Sequence, residues 1–315
     1  ERLIAYNVLD LMEGRPGEVQ KQIDQDIHRG VMFLAERAIK NENYAAARKA
    51  YGRLPDMWEK VRLMIDLLYR QEKFGEIHDL VNQMKDENYW QAQGILMEFY
   101  RKRGSVHGLK TLVRELCDKH EKSEKLTGLL SQLKTDMDEF SDKELRGIYE
   151  VVATQYRPLR REFEYEVCNL VWEEDPEVLR RFIVTYQNGE DVEQCKRWRG
   201  IYFELQGERK RAQEQYEEMK DEAQAHFYIA ETYHGEYARK AGNVDRLRAI
   251  QEYMQIRKRF YDTESTCRAY WRIAQLYVEE GDRKKGIDML EELEQRFVGQ
   301  QGWRVRARMQ IADWH

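Results

Sequence analysis

The sequence has few of the residues that make turns and covalent cross-links. Its 315 residues include four prolines and nineteen glycines, too few for the frequent tight turns of an all-β protein. The four cysteines lie far apart and form no Cys-x-x-Cys pair, which argues against a zinc ribbon and against a disulfide framework; they are Cys117, Cys168, Cys195 and Cys267. We therefore expect the protein in the cytoplasm or in another reducing intracellular compartment.

Long apolar runs and an excess of positive charge are also missing. A membrane-spanning helix needs about eighteen or more apolar residues in a row, and the apolar run at 31–35 is followed at once by Glu36 and Arg37. The 53 Lys and Arg residues stand against 58 Asp and Glu residues, which gives a net charge of −5. These absences argue against a membrane-spanning role and against a strongly basic nucleic-acid module.

The motifs of common enzyme classes are absent as well. The chain has no glycine-rich phosphate loop, no dinucleotide fingerprint, no His-Glu-x-x-His and no Gly-x-Ser-x-Gly. Glu231 and His234 form one Glu-x-x-His pair, whereas a helical di-iron site needs two. Cys117 and His120 are three residues apart, but a zinc site needs two further ligands. We expect no catalytic residue, no metal site and no cofactor in this chain.

The sequence is rich instead in residues that form long helices, and 35% of it is charged. A periodic pattern is clearest at 267–297. Its first half places apolar residues at spacings of three, one and three, which marks one face of a helix. A glycine follows, and a second helical stripe comes after it; the residues are Tyr270, Ile273, Ala274, Tyr277, Gly281, Gly286, Leu290 and Leu293. The small residues at 274 and 286 predict that the two helices approach each other closely.

The same spacing recurs elsewhere in the chain. It is found at 31–54, 61–84, 93–116 and 196–219, and another unit opens at 225–233, with a first helix that we expect to run on to about Lys240. This helix–turn–helix pattern resembles the tetratricopeptide repeat, a unit of about thirty-four residues. The resemblance implies an all-α fold, a right-handed α-solenoid of stacked helix-turn-helix repeats.

The repeat signature predicts three segments. Residues 1–120 and 191–315 carry recognisable repeats, and residues 121–190 between them keep helical periodicity without the signature. In the middle segment Ser141 and Glu144 form a predicted capping box, and Asp175 precedes a proline at a helix start. A separate domain with a boundary near 120–140 is the alternative interpretation.

The two ends of the sequence show incomplete units. Residues 3–12 predict a single helix, and residues 303–315 predict the first helix of a unit without its partner. Ile311 and Trp314 would then lack a covering helix, so we expect the solenoid to continue beyond this segment. The alternative is that the last helix serves as the cap.

In the resembled family the first helix of each unit lines a concave groove. The residue after the small one at the middle of that helix points into the groove, which here gives Glu36, Asp66, Glu98, Ile201, Glu231 and Gln275. Four of these six are acidic, whereas repeats that clamp a terminal carboxylate use Asn with nearby Lys or Arg. The sequence therefore argues against an acidic tail as the ligand.

Neighbouring groove candidates add basic and aromatic side chains. They are Arg62, Arg70, Trp198, Tyr228, Trp271 and Arg272. A mixed acidic, basic and aromatic lining suits a peptide or a helix of a partner protein. The alternative is a solvated face whose charges only pair with one another.

These patterns lead to three hypotheses about function. The first is a protein–protein interaction scaffold, or a regulatory arm of a larger protein or assembly, which binds a partner segment on its concave face. The second is an RNA-binding helical-repeat protein, which the Arg-rich segments 157–161, 196–199, 257–259 and 304–308 keep open despite the negative net charge. The third is a sensor solenoid attached to an effector enzyme domain outside this segment. None of the three involves a membrane.

Overall fold

The computed structural model describes residues 16–54, 57–120, 123–135, 137, 140–242 and 244–315. Within these ranges the chain forms helices and no strands. In order the α-helices are α1 (Pro16–Lys40), α2 (Tyr44–Tyr51), α3 (Met57–Arg70), α4 (Phe74–Asn82), α5 (Asp86–Lys102), α6 (Val106–His120), α7 (Glu124–Ser131), α8 (Asp142–Gln155), α9 (Arg160–Val171), α10 (Pro176–Tyr186), α11 (Glu190–Leu205), α12 (Arg209–Glu217), α13 (Glu222–His234), α14 (Glu236–Lys240), α15 (Arg246–Arg259), α16 (Glu264–Glu279), α17 (Arg283–Arg296) and α18 (Gln301–Trp314). The predicted helix at 3–12 lies outside the described residues.

The helices form two compact units, unit 1 (Glu1–Arg160) and unit 2 (Arg161–His315). In unit 1, α1 packs against α2, α3 against α4, and α5 against α6. In unit 2, α11 packs against α12, α13 against α15, and α16 against α17. Because helices pack mainly against their neighbours in the sequence, the chain is an all-α solenoid of helical pairs, as predicted. The right-handed winding and the three-segment division stay predictions.

The same kind of three-residue turn joins the two helices of several pairs, in unit 1 and in unit 2. Its middle residue has a left-handed backbone, and the next N–H bonds back to the fifth residue before it, as between Asp282 and the Tyr277 carbonyl at 2.9 Å. This geometry favours glycine, which has no Cβ to clash. The middle residues are Gly104, Gly207 and Gly281, but Glu42 and Glu72 in the first two pairs.

Small residues bring the paired helices together. Ala35 and Ala47 are fully buried between α1 and α2. A Cβ on Gly286 of α17 would lie 2.9 Å from the Ala274 carbonyl oxygen of α16, and one on Gly200 of α11 would lie 2.2 Å from the Tyr216 ring of α12. The predicted close approach at 274 and 286 is therefore confirmed.

The unit that opens at 225–233 departs from the prediction. Its first helix does not continue to Lys240, because α13 ends at His234 and Gly235 is extended at ψ 178°. A Cβ on Gly235 would lie 2.7 Å from both the carbonyl oxygen and a carboxylate oxygen of Glu231. The prediction of one continuous helix was wrong, and the short helix α14 stands between α13 and its partner α15.

Predicted helix starts are confirmed in the middle of the chain. The Ser141 N–H donates to Glu144 Oε2 at 2.9 Å, and the Asp175 carboxylate accepts the N–H groups of Glu177 and Val178. At the end of unit 2, α18 packs against α17 and half-buries Ile311 and Trp314 against the core. Among the described residues, no helix has the length and apolar character of a membrane span.

We predict that Glu72→Gly raises the free energy of unfolding by about 1 kcal/mol. The left-handed conformation costs a residue with a Cβ about 1–2 kcal/mol, part of which the greater chain entropy of glycine offsets. Urea unfolding followed by circular dichroism measures the change. Gly104→Ala, at the same turn position, is expected to lower the free energy, and a lower value for Glu72→Gly would contradict this account of the turn.

We also predict that Gly200→Ala lowers the free energy of unfolding by about 1–3 kcal/mol, because the added methyl group must displace the fully buried Tyr216 ring. Gly302→Ala in α18 is the matched control, since no atom lies within 4 Å of a Cβ there. Urea unfolding of both variants tests the prediction. Equal free energies of unfolding for the two variants would mean that α11 and α12 can accommodate the methyl group without a loss of stability.

Candidate binding groove

A cleft of about 360 Å³ lies on one side of unit 2, and we call it the unit 2 cleft. It brings together six of the predicted groove residues, which are Ile201, Tyr228, Glu231, Trp271, Arg272 and Gln275. The remaining lining residues are Arg197, Glu204, Tyr216, Phe227, Gly235, Glu236, Tyr237, Arg268 and Trp303. The structure thus supports a shared location for the predicted residues of α13 and α16.

Helical periodicity places these side chains on one face of each helix. In α11 the lining residues Arg197, Ile201 and Glu204 are four and three residues apart. In α16 the lining residues follow Arg268 at intervals of three, four and seven residues. Side chains at such intervals lie one above the other on a helix. The opposite face of α16 carries buried core residues such as Tyr270 and Ala274.

A bidentate ion pair crosses the cleft wall between α13 and α16. Arg272 Nε and Nη2 donate to the two oxygens of Glu231, each at 2.8 Å. The Tyr253 hydroxyl also donates to Glu231, and Arg272 Nη1 donates to Gln275 Oε1 at 3.3 Å. Burial alone would lower the pKa of Arg272, but the Glu231 carboxylate outweighs this effect and raises it. The negative charge of Glu231 is therefore neutralised within the cleft wall.

Two other arginines of the cleft lie against aromatic rings. The guanidinium carbon of Arg197 is 4.9 Å from the ring centroid of Tyr228, and that of Arg268 is 4.7 Å from the centroid of Phe227. The two rings are adjacent, with centroids 5.9 Å apart. Neither arginine forms an ion pair or a hydrogen bond to any residue in the described ranges, and Arg197 Nε is buried without a partner. Both cations are thus held in place by rings and left open to a ligand.

Two tryptophans add an apolar wall. The rings of Trp271 and Trp303 meet edge to face with centroids 6.1 Å apart, and both side chains are half-buried. Trp271 comes from α16 and Trp303 from α18. Tyr237 of α14, which follows the break at Gly235, lines the same cleft.

Glu204 is a buried carboxyl group in this cleft, with an exposed fraction of 5%. Its Oε1 accepts the Tyr216 hydroxyl at 2.5 Å, while its Oε2 is buried without a hydrogen-bond partner. Burial raises the pKa of Glu204 to about 7; the Tyr216 hydrogen bond and Arg209 oppose this shift, and the charge of Glu231 adds to it. Glu204 therefore changes its charge near neutral pH.

Trp198, predicted for the groove, lies outside the unit 2 cleft. Its ring stacks on Tyr165 with centroids 5.6 Å apart and lies nearly parallel to Trp172 at 6.5 Å. The side chain points to the face of α11 that carries this aromatic stack, so it does not share a site with Trp271.

Unit 1 has a hollow of its own, of about 320 Å³, which brings together the predicted residues Arg62 and Glu98 beside Trp90. The Lys102 ammonium, 2.7 Å from Glu98 Oε1, holds the pKa of Glu98 below its usual value, and Arg62 adds to this effect. Glu36 is exposed on α1.

The predicted residues Asp66 and Arg70 of unit 1 pair with each other. Arg70 Nε donates to Asp66 Oδ2 at 2.8 Å, and Arg103 donates to the other oxygen of Asp66. These two candidates therefore belong to a local charge network on α3 and the turn after α5.

The sequence pairs considered as metal ligands have other partners. Glu231 binds Arg272, and His234 Nε2 lies 3.2 Å from Glu279 Oε2. Burial raises the pKa of Cys117 to about 11, and His120 Nε2 lies 3.0 Å from the Tyr89 hydroxyl. Among the described residues, no three His, Cys, Asp or Glu side chains are grouped as metal ligands.

Several cleft residues were not predicted. Arg197, Glu204 and Arg268 lie on the same helix faces as the predicted residues, so the helical period would have found them. The helical period does not point to Tyr237 or Trp303. The position of Tyr237 in the cleft depends on the break at Gly235, and that of Trp303 depends on how α18 packs.

We predict that Glu204→Gln stabilises the protein increasingly as the pH rises from 5 to 8. The folded-state pKa of about 7 lies above the usual value of 4.5, so the folded chain keeps a proton that the unfolded chain loses over this range. Ionisation at pH 8 then costs about 3 kcal/mol, a cost that glutamine avoids while still accepting the Tyr216 hydroxyl.

Urea unfolding at pH 5, 6, 7 and 8 measures the difference from the native sequence. Glu217→Gln, which removes an exposed carboxylate of α12, is the control and is expected to show a difference that does not change with pH. A pH-independent difference for Glu204→Gln would contradict the raised pKa.

Comparisons with known proteins give no family. No protein-family model matches the chain, and no curated protein matches it. Thirty chains of solved structures match. One is a "Circular tandem repeat protein with novel repeat topology and enhanced subunit contact surfaces", which is 14% identical over 94% of this chain and 64% of its own length, with a TM-score of 0.15. The fold assignment therefore rests on the helix packing of this chain.

Proposed function

We propose that this chain is a protein-interaction solenoid of the tetratricopeptide-like kind, and that it binds a segment of a partner protein in the unit 2 cleft. In this proposal the chain acts as a scaffold or regulatory arm of a larger assembly and carries no catalysis itself. One observation supports it above all. The cleft gathers two tryptophans and two arginines that lack carboxylate partners in the described chain.

The composition of the cleft is that of a binding hot spot. Trp, Tyr and Arg are the residues that most often contribute large shares of binding energy at protein interfaces. In this cleft Trp271, Trp303 and Tyr237 stand beside Arg197 and Arg268. The lining comes largely from helices, which hold side chains more rigidly than loops do.

The arginines outside the cleft favour a protein partner over RNA. Four of those in the predicted basic segments bind carboxylates of the same chain at 2.6–2.9 Å, in the pairs Arg161–Asp191, Arg257–Glu292, Arg259–Glu222 and Arg308–Glu294. A carboxylate on each of these cations reduces the positive potential that a phosphate backbone requires. The four cysteines are buried free thiols, which suits the proposed reducing intracellular compartment.

We predict that the protein selects peptides from a random display library. Trp271→Ala and Trp303→Ala are each expected to raise the dissociation constants of the selected peptides about thirtyfold. A buried aromatic hot-spot residue contributes about 2 kcal/mol or more to binding, which corresponds to that factor. Fluorescence anisotropy with the selected, labelled peptides measures the dissociation constants.

The matched control is Trp172→Ala, which removes a half-buried tryptophan of unit 2 outside the cleft. It is expected to leave the dissociation constants unchanged, and circular dichroism checks that all three variants remain folded. Peptides that bind the two cleft variants as tightly as the native protein would exclude this cleft as the binding site.

A further inference from the structure

We infer that the segment bound in the unit 2 cleft carries an aspartate or glutamate whose carboxylate binds between Arg197 and Arg268. This inference rests on the proposed function and adds the chemistry of the partner. It commits to a peptide side chain rather than to a phosphate group. Its basis is the pair of arginines on adjacent rings, described above.

The two arginines are arranged for a ligand rather than for the fold. Cation–π contact with Tyr228 and Phe227 orients both guanidinium groups without using their hydrogen-bond donors. The fold also leaves Arg197 Nε buried without a partner, at a cost in free energy, so it does not satisfy all the donors of this guanidinium group. A planar guanidinium matches the two oxygens of a carboxylate, which makes the acidic side chain a fitting acceptor.

The charge balance of the cleft suits one or two negative charges. Glu231 is neutralised by Arg272, and Glu236 is paired with Lys240 at 2.9 Å. Among the charged side chains that line the cleft, this leaves Glu204, ionised above about pH 7, to oppose the charges of Arg197 and Arg268. Such a small and local excess matches a single carboxylate better than the continuous charge of a nucleic acid.

The surroundings of the arginines indicate what stands next to the acidic residue. Trp271 and Trp303 offer ring surface on the other wall of the cleft, which an apolar side chain of the same segment would cover. The expected motif is therefore an acidic residue close to an aromatic or aliphatic one.

This inference reverses the expectation drawn from the acidic groove positions. Of the three positions that fall in unit 2, Ile201 and Gln275 are uncharged and Glu231 is bound by Arg272. The count of acidic residues therefore does not describe the free charge of the cleft. The arginines that carry that charge lie at other positions of the same helix faces.

Glu204 should make the binding of an acidic segment depend on pH. It faces the Tyr216 hydroxyl from α12 and the charge of Glu231 from α13. Arg209 of α12 lowers the pKa of Glu204, and the charge of Glu204 in turn raises the pKa of Tyr253 in α15. Loss of its proton above about pH 7 reduces the positive charge of the cleft. Acidic peptides should therefore bind more weakly at pH 8 than at pH 6, and Glu204→Gln should remove this difference.

The test uses the whole chain and a position-scanning library of nine-residue peptides, in which each position in turn is fixed as one of the twenty amino acids. Binding of the labelled pools is measured at pH 6 and pH 8. We expect pools with a fixed Asp or Glu to bind about tenfold more tightly than pools with Asn or Gln, because a charge-assisted hydrogen bond is lost in the amide.

Arg197→Gln and Arg268→Gln are expected to abolish the preference for Asp and Glu, and Arg→Lys at either position should restore part of it. The matched control is Arg211→Gln, which removes an arginine that also lies over a ring, 5.4 Å from the Phe203 centroid, but outside the cleft. It removes the same charge and is expected to leave the preference intact. Circular dichroism and urea unfolding identify any variant that fails to fold.

The outcomes separate this inference from the proposed function. Tight peptide binding through Trp271 and Trp303 without a preference for Asp or Glu would overturn the inference and leave the proposed function standing. Failure of every pool to bind would overturn both. A labelled single-stranded RNA oligonucleotide that bound more tightly than any peptide pool, and lost binding in Arg197→Gln, would replace the acidic peptide with a phosphate ligand.

Discussion

The ion pair between Glu231 and Arg272 determines the character of the unit 2 cleft. It joins α13 to α16 across 41 residues of sequence, with both guanidinium–carboxylate bonds at 2.8 Å. Because it neutralises the one acidic side chain at a groove position in this unit, the free charge that remains is positive and belongs to Arg197 and Arg268. Trp271, the neighbour of Arg272 in α16, lines the same cleft and contacts the ring of Trp303.

The paired helices around the cleft are connected in the same way, with one exception. Turns with a left-handed middle residue and small residues between paired helices repeat along the chain. In the pair α13 and α15 the turn is replaced by a longer connection that begins at Gly235 and contains α14. That insertion adds Glu236 and Tyr237 to the cleft, so the least regular repeat supplies part of the candidate site.

Most of the architecture could be predicted from the sequence, because it depends on residues that lie close together in the chain. The stripe that contains Tyr270 and Ala274, the glycine turn at Gly281 and the cap at Ser141 are all set by residues within one or two helical turns. The charge state of the cleft could not be predicted in this way. It depends on which residues meet across repeats, and no short interval in the sequence marks the break at Gly235, where a Cβ would clash with Glu231.

The position of the cleft has a mechanical consequence. In a solenoid each helix contacts mainly its sequence neighbours, so the opening of one repeat reaches a distant repeat only through the interfaces between them. The unit 2 cleft takes residues from α11, α12, α13, α14, α16 and α18, which belong to successive repeats. A segment bound in it would contact all of these helices at once. It would couple the repeats, so that they would open together rather than one at a time.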